Sequence, residues 1–194
     1  MNATNTKIRT RPYRRKGQGK TDYRKRLRLL KSRTPRLVVR KSLKNMYVQV
    51  IAFDPKGDQV IVTATPNALI KRGWQYERNS MPAAYLLGLI LGKKAHAAKI
   101  KKVIADLGLR KPIKKSTLYT VVKGVKDAGI HVPVSDDVLP DQKRVVGEHI
   151  RDYSKKLRSN TAAYQKQFSG YLKKGLNPED IPQKCEELKA KILK

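Results

Sequence analysis

The sequence is poor in acidic residues, in cysteine and in aromatic residues. It has 15 Asp and Glu against 45 Lys and Arg, one cysteine, and 6% aromatic residues. A single cysteine excludes an internal disulfide, so we expect the chain to work in a reducing cytosol. The shortage of acids leaves a formal charge of +30 at pH 7. We therefore expect the working state to include a neutralising polyanion, with nucleic acid as the first choice.

Long apolar runs are also missing. The N-terminus has no apolar segment of the kind that a signal peptide carries. The longest apolar stretch, AAYLLGLIL at 83–91, is far shorter than the roughly 20 residues that a membrane span needs. The sequence therefore predicts a cytoplasmic protein that has no membrane partner.

Histidine-based and nucleotide-based catalytic motifs are missing as well. The three histidines stand at 96, 131 and 149, with no metal-ligand spacing among them or near Cys185. The GKT at 19–21 lacks the upstream glycine and the preceding strand of a P-loop. We predict that the protein is not an enzyme and binds neither a metal nor a cofactor.

The few carboxylates leave one enzymatic alternative. Asp54, Asp58 and Asp106 are the acids close to predicted strands, and a two-metal nuclease needs three or four converging acids. Two of the three lie in a DPKGD turn, where Asp is common for local reasons. A metal-dependent RNA-processing enzyme is therefore kept as the alternative to a binding protein.

The cationic residues that are present are concentrated at the N-terminus. Residues 1–44 hold 17 of the 45 Lys and Arg and one of the 15 acids, which is the layout of a basic arm on a globular body. Residues 1–20 are expected to be disordered when free, because they contain almost no apolar residues. Thr21 is expected to cap a helix that runs to about residue 32.

Two offset stripes lie on this predicted helix. Tyr23, Leu27 and Leu30 share one face, which could dock on protein, and Arg24, Arg28 and Lys31 share the adjacent face, which could meet phosphate. The alternative is a segment that stays unfolded until its partner arrives.

The centre of the chain predicts an α/β body. Three β-branched segments at 36–41, 46–53 and 58–65 are separated by turn sequences and indicate an antiparallel meander. A buried helix is expected from 80 to about 99, in which Gly88 and Gly92 allow close packing on a sheet. A strand at 102–108, a helix at 116–128 and a strand at 130–134 complete the order β-β-β-α-β-α-β, which is typical of a mixed sheet covered by helices.

The composition changes after residue 134. An acidic linker is followed by helical patterns at about 140–157 and 178–193, with too little apolar surface to fold alone. We expect this tail to pack on the body or on another partner. The predicted divisions are a basic arm with a short helix at 1–34, the α/β body at 35–135, and a helical C-terminal extension at 136–194.

The predicted chemistry is binding of nucleic acid. The planar guanidinium group of arginine can donate two hydrogen bonds to a phosphate. Tyrosine rings stack on the exposed bases of single-stranded RNA loops. The N-terminus of a helix attracts anions. The candidates in the arm are Arg9, Arg11, Tyr13, Arg14, Arg15, Lys16, Lys20, Tyr23, Arg24 and Arg28. Those before the two body helices are Lys71, Arg72 and Trp74, and Arg110, Lys111, Lys114 and Lys115. A chromatin-like DNA binder is the second alternative, and the tyrosine-bearing arm argues against it.

Several segments resemble a known family. GKTDYRKRLRLLKS runs into TPRLVVRKSLKNMYVQVIAFDPKGD, and GW (73–74), PAAYLLGLILGKKA (82–95), DLGL (106–109), GVKDAGIHVPV (124–134) and GEHI (147–150) follow in order. Together they resemble the archaeal and eukaryotic type of large-subunit ribosomal protein L-eighteen, called L-five in eukaryotes, over roughly residues 7–157.

The resemblance implies a structural constituent of the large ribosomal subunit that binds 5S rRNA and helps attach it to the large rRNA in the central protuberance. It also implies a three-layer α/β fold of ribonuclease-H-like topology without catalytic acids, and neighbouring ribosomal proteins, including bacterial-type L-five, as partners. Further RNA contacts are expected from the matching strand edge and the arm's end: Arg33, Arg40, Lys41, Lys44 and Tyr47.

Overall fold

A four-stranded mixed sheet forms the centre of the molecule. The computed structural model describes residues 11–193 of the chain. The strands are β1 (Arg36–Lys41), β2 (Met46–Ala52), β3 (Gln59–Ala64) and β4 (Ile104–Asp106). They lie in the order β3-β2-β1-β4, with β1, β2 and β3 antiparallel and β4 parallel to β1. The predicted α/β class with a mixed sheet is confirmed.

The meander follows from short turns and from alternating apolar residues. Ser42 donates its N–H to the Asn45 carbonyl at 2.8 Å and so closes the β1–β2 turn. On the inner face of the sheet, Leu37, Val39 and Val48 are buried in the main core, as the period of two residues in a strand requires.

The predicted strand at 130–134 is wrong as a full strand. His131 forms only an isolated parallel bridge with Lys102. Pro133 has no N–H to donate, so a ladder of hydrogen bonds cannot continue through it. The predicted strand at 102–108 is likewise shorter in the structure, where β4 has three residues.

The most deeply buried helix packs against the inner face of the sheet. A short helix, α3 (Pro66–Ile70), leads to α4 (Met81–Ala97). The Ser80 hydroxyl caps α4 by accepting the Ala83 N–H at 3.4 Å. The first three turns of α4 are buried on all sides, as predicted, because the helix contacts β2, β3 and four other helices.

The glycines of α4 face a helix, not the sheet. The helix α5 (Thr117–Asp127) crosses α4. A Cβ added at Gly88 would lie 2.4 Å from the Val121 carbonyl oxygen, and one at Gly92 would lie 2.4 Å from the Ala128 Cβ. The expectation of close packing is correct, but the partner element is different from the predicted one.

The N-terminal segment contains more helix than predicted. A single turn, α1 (Arg14–Gly17), precedes α2 (Tyr23–Leu30), so the described part of residues 1–20 is not without structure. Asp22, not Thr21, caps α2, and its carboxylate accepts the Lys25 N–H at 3.0 Å. The predicted position of the helix is confirmed within two residues at each end.

The C-terminal extension is helical and joins the body. It contains a 3-10 turn (Asp136–Val138), α6 (Gln142–Val146), α7 (Glu148–Leu157), α8 (Thr161–Leu172), a second 3-10 turn (Pro178–Asp180) and α9 (Ile181–Leu193). Gly147, with φ of 101°, separates α6 from α7. The sequence did not predict α8. α9 packs on α4, so in the structure the tail packs on the body.

Candidate nucleic-acid interface

Ion pairs attach the basic arm to the sheet. Arg26 of α2 donates two hydrogen bonds of 2.8 Å to Asp58, the residue that directly precedes β3. Arg36 of β1 contacts Asp58 at 2.7 Å and Asp106 of β4 at 2.9 Å. Arg40 contacts Asp106 at 3.0 Å. Cations and carboxylates therefore alternate from the arm to the fourth strand.

The centre of this network is buried. The side chains of Arg36 and Asp106 are 4% and 9% exposed. Burial alone would raise the pKa of Asp106, but Arg40, the Gly108 N–H and Arg36 outweigh it and lower that pKa. The pKa of Asp58 is lowered in the same way, because Arg26 and Arg36 outweigh burial. Both carboxylates are therefore ionised and paired at neutral pH.

This pairing removes the acids that a metal-dependent nuclease would use. Asp54 closes its own turn by accepting the Lys56 N–H at 2.9 Å and the Gln59 amide at 3.0 Å. Within residues 11–193, no three His, Cys, Asp or Glu side chains come together in a way that could hold a metal ion. The three acids serve as anchors and turn caps in this structure.

The face of α2 that contacts the sheet agrees only in part with the predicted one. Lys25 reaches the Gly108 carbonyl at 2.7 Å, and Arg26 and Leu29 line the same cavity between α2 and the sheet. Leu27, assigned to the docking face, is 58% exposed. Tyr23, assigned to the same face, does line the cavity, so the predicted face is correct only in part, and the hydrogen bonds that attach the helix come from Lys25 and Arg26.

The second predicted stripe faces solvent. Arg24, Arg28 and Lys31 are exposed, and no ion pair within the described residues involves them. Cations of the same kind continue toward the start of the described chain and just beyond α2, all of them exposed: Arg11, Arg14, Arg15, Lys16, Lys20 and Arg33. Arg9 lies outside the described residues.

The exposed tyrosines occupy two places on this side of the molecule. Tyr13 and Tyr23 pack against each other, with ring centroids 5.0 Å apart and planes inclined at 42°, and Tyr13 is 71% exposed. Tyr47 lies directly opposite Arg40 in the β1–β2 register and is half exposed. Each place offers an aromatic ring beside arginine.

The remaining candidates divide into accessible and inaccessible side chains. Trp74 is 2% exposed and its indole N–H donates to the Glu77 carbonyl at 3.3 Å, so its burial argues against the predicted direct RNA contact. Lys115 forms an ion pair with Asp141 at 3.3 Å. The others lie at the surface: Lys41 is partly exposed, and Lys44, Lys71, Arg72, Lys111 and Lys114 are exposed.

Sequence reasoning missed the residues that attach the arm. Lys25, Arg26 and Arg36 did not stand out in a segment so rich in cations. Their partners, Asp58 and Asp106, were considered only as catalytic acids. An acid at a strand end in so basic a chain is itself a signal for a cation partner, because an unpaired buried carboxylate is costly.

A basic arm that is attached by ion pairs to a mixed α/β body is the arrangement of a protein that binds a polyanion. The family described as "Ribosomal large subunit proteins 60S L5, and 50S L18" matches residues 7–101. The large ribosomal subunit protein uL18 of Methanococcus maripaludis is 48% identical over 191 residues, which cover 98% of this chain and 98% of that protein. The chain therefore belongs to this family of large-subunit ribosomal proteins.

Family membership confirms the predicted class of function. The protein is a non-enzymatic structural constituent of the large ribosomal subunit, takes part in translation and is located in the cytoplasmic ribosome. Within the described residues, even the longest helix, α4 with 17 residues, is too short to cross a bilayer.

Proposed function

We propose that this protein binds 5S rRNA and helps attach it to the large rRNA in the central protuberance of the subunit. The observation that carries the proposal is the two-sided arm: Arg26 and Lys25 hold α2 on the sheet, while Arg24, Arg28 and Lys31 face outward without acid partners in the described part of the chain. Because these cations are already held on α2, binding a run of phosphates should cost less conformational entropy than the ordering of a free segment would.

The proposed contact surface combines the arm with one side of the sheet. Tyr13 and Tyr47 supply exposed rings for base or sugar packing, and the cations around them supply phosphate contacts. The residues that we propose for this contact surface are Arg9, Arg11, Tyr13, Arg14, Arg15, Lys16, Lys20, Tyr23, Arg24, Arg28, Arg33, Arg40, Lys41, Lys44 and Tyr47. Lys71, Arg72, Lys111, Lys114 and Lys115 are proposed as contacts to the large rRNA or to 5S rRNA from the body.

The finer architecture is part of the proposal. We assign the sheet to the three-layer, ribonuclease-H-like topology, supported by an antiparallel meander followed by a parallel strand on the far side of β1. We keep the division into an arm (1–34), an α/β body (35–135) and a helical extension (136–194). Neighbouring large-subunit proteins, including bacterial-type L-five, are the proposed protein partners.

The test measures the affinity of the full chain for 5S rRNA over a range of salt concentrations. Each lost phosphate contact should reduce the slope of log affinity against log salt by about 0.7–0.9. The double variant Arg24→Gln/Arg28→Gln and a variant lacking residues 1–20 should both give flatter slopes. The matched control is Lys155→Gln/Lys156→Gln, which removes two exposed cations from α7 and should leave the slope close to that of the unchanged protein.

Two results would contradict the proposal. One is a slope that the arm variants leave unchanged. The other is equal affinity for 5S rRNA and for duplex DNA of the same length at equal salt, because that would indicate general attraction to polyanions. Recovery of 5S rRNA with the protein after purification from cells at moderate salt is the expected result for the native complex.

A further inference from the structure

A small cavity lies where the loop before α5 meets the end of β1. Its volume is about 250 Å³, and three cationic side chains line it, those of Lys41, Arg110 and Lys111. No acidic residue lines it. None of the three cations has an ion-pair partner anywhere between residues 11 and 193. The cavity is therefore strongly positive and has no counter-charge of its own.

Two of these cations are held in place. Arg110 donates from Nη2 to the Lys41 carbonyl at 2.8 Å, and the Lys41 ammonium lies 3.3 Å from the Thr117 hydroxyl oxygen. Burial, and then the nearby Arg110 guanidinium, lower the pKa of Lys41. An anion between the two side chains would relieve both effects, because it would replace lost hydration and offset the repulsion.

The wall of the cavity at α5 has unused polar groups. The Ser116 hydroxyl oxygen is buried and has no hydrogen-bond partner, although Ser116 occupies the cap position of α5. Among the described residues nothing accepts the N–H groups of Thr117 and Leu118, and the first turn contains no acid. The first N–H groups of a helix have no partner within the helix, so these polar groups are available to an anion.

The size of the cavity limits the ligand. Sites that enclose a drug-sized molecule have volumes of roughly 300–1,000 Å³, and this one is smaller. A tetrahedral anion carries enough acceptor oxygens for an ammonium, a guanidinium fork and helix N–H groups at once. We propose that the cavity is a binding site for a single phosphate group, held by Lys41, Arg110 and the first turn of α5.

The proposed source of this phosphate is the RNA backbone, so the inference rests on the proposed function and deepens it. The site belongs to the body and not to the arm, and it would hold the RNA at a second, rigid point. A free inorganic phosphate offers the same chemistry, and the two sources are separated by experiment.

The first experiment titrates inorganic phosphate into the full chain and follows backbone amide signals by NMR. The amides of Thr117 and Leu118 should shift along a saturating curve, and the Lys41→Met variant should weaken that binding at least severalfold. The Ala83 amide in the first turn of α4 is the internal control, because the Ser80 hydroxyl already occupies it. Absence of a shift at Thr117 and Leu118, or shifts that grow linearly as at other sites, would overturn the phosphate site.

The second experiment compares Lys41→Met with Lys126→Met in 5S rRNA binding. Lys126 lies exposed in the last turn of α5, where it pairs with the exposed Asp136 at 2.6 Å, so each variant loses one cation, but only Lys41 lines the cavity. Only Lys41→Met should flatten the salt slope, by about 0.7–0.9. Equal slopes for the two variants, with normal 5S rRNA binding, would refute the RNA phosphate while leaving the proposed function intact. Saturating phosphate binding without preference for 5S rRNA would instead refute the proposed function alone.

Discussion

At the scale of single residues, Arg36 joins the arm to the core. Its guanidinium contacts Asp58, which also holds Arg26, and Asp106, which also holds Arg40. Removing one member of a buried ion pair costs more than the pair contributes, because the remaining charge stays buried without compensation. The stability of this region should therefore depend on the ionisation of the two carboxylates.

We expect Asp106→Asn to lower the free energy of unfolding by about 3–5 kcal/mol at pH 7. Asp58 and Asp106 have lowered pKa values in the folded state. Their stabilisation is therefore complete above the unfolded-state pKa of about 4, and it is lost as the pH falls from there through the folded-state values. The difference between the unchanged protein and Asp106→Asn should shrink over that range, as measured by urea unfolding at successive pH values.

The control for this prediction is Asp137→Asn, which changes an exposed acid in the 3-10 turn before α6. It should alter the free energy of unfolding by less than about 0.5 kcal/mol at every pH. A difference for Asp106→Asn that stays constant from pH 7 to pH 3 would show that charge pairing does not stabilise this site.

At the scale of helices and strands, the crossing of α4 and α5 sets how closely the core can pack. Gly88 and Gly124 face each other, and a Cβ at Gly124 would lie 2.4 Å from the Tyr85 carbonyl oxygen. Backbone groups cannot move aside as a flexible side chain can. A helix–helix contact without side chains at the crossing point therefore requires glycine at both positions.

We expect Gly88→Ala and Gly124→Ala each to destabilise the protein. Forcing a methyl group into a packed core costs about 1–3 kcal/mol, and the gain in helix propensity returns at most about 1 kcal/mol. The control is Gly170→Ala in α8, where nothing lies within 4 Å of the added Cβ. That variant should be stabilised by about 0.5–1 kcal/mol. Equal stability of Gly88→Ala and Gly170→Ala in urea unfolding would contradict the close crossing.

At the scale of the whole molecule, the C-terminal helix completes the core that the N-terminal half begins. Ile181, Cys185, Leu188 and Ile192 of α9 are buried, at spacings that put them on one face of a helix. Burial, and then Glu186, raise the pKa of the Cys185 thiol to about 12. The thiol is therefore both covered and protonated while α9 stays on α4.

We expect Cys185 of the native protein to react with a disulfide reagent far more slowly than that of the urea-unfolded protein, because the thiolate is the nucleophile. Leu188→Ala should speed labelling by weakening the packing of α9. Leu172→Ala, which changes a partly exposed leucine of α8, should leave the labelling rate nearly unchanged. Native labelling as fast as that of the unfolded chain would show that α9 does not cover Cys185. The same labelling followed with and without 5S rRNA reports whether the RNA stabilises the whole fold.

Local patterns in the sequence predicted most of the elements. The β-branched runs of β1, β2 and β3, the buried helix α4 with its Ser80 cap and Pro82, and the charged stripe of Arg24, Arg28 and Lys31 are all set by residues within a few positions of one another. The weaker predictions were at 130–134, where Pro133 prevents a ladder, and at α8, whose apolar residues follow no clear helical period.

The sequence by itself determined the class of the protein, its basic arm, the mixed α/β body and the family to which it belongs. Only the tertiary structure decided which face of α2 meets the sheet, that Asp58 and Asp106 are arginine anchors, that Gly88 faces α5, and that α9 covers α4. The physical reason is distance along the chain. Arg36 and Asp106 lie 70 positions apart, and no local propensity specifies a partner so remote; it is specified by the strand pairing that places β4 beside β1.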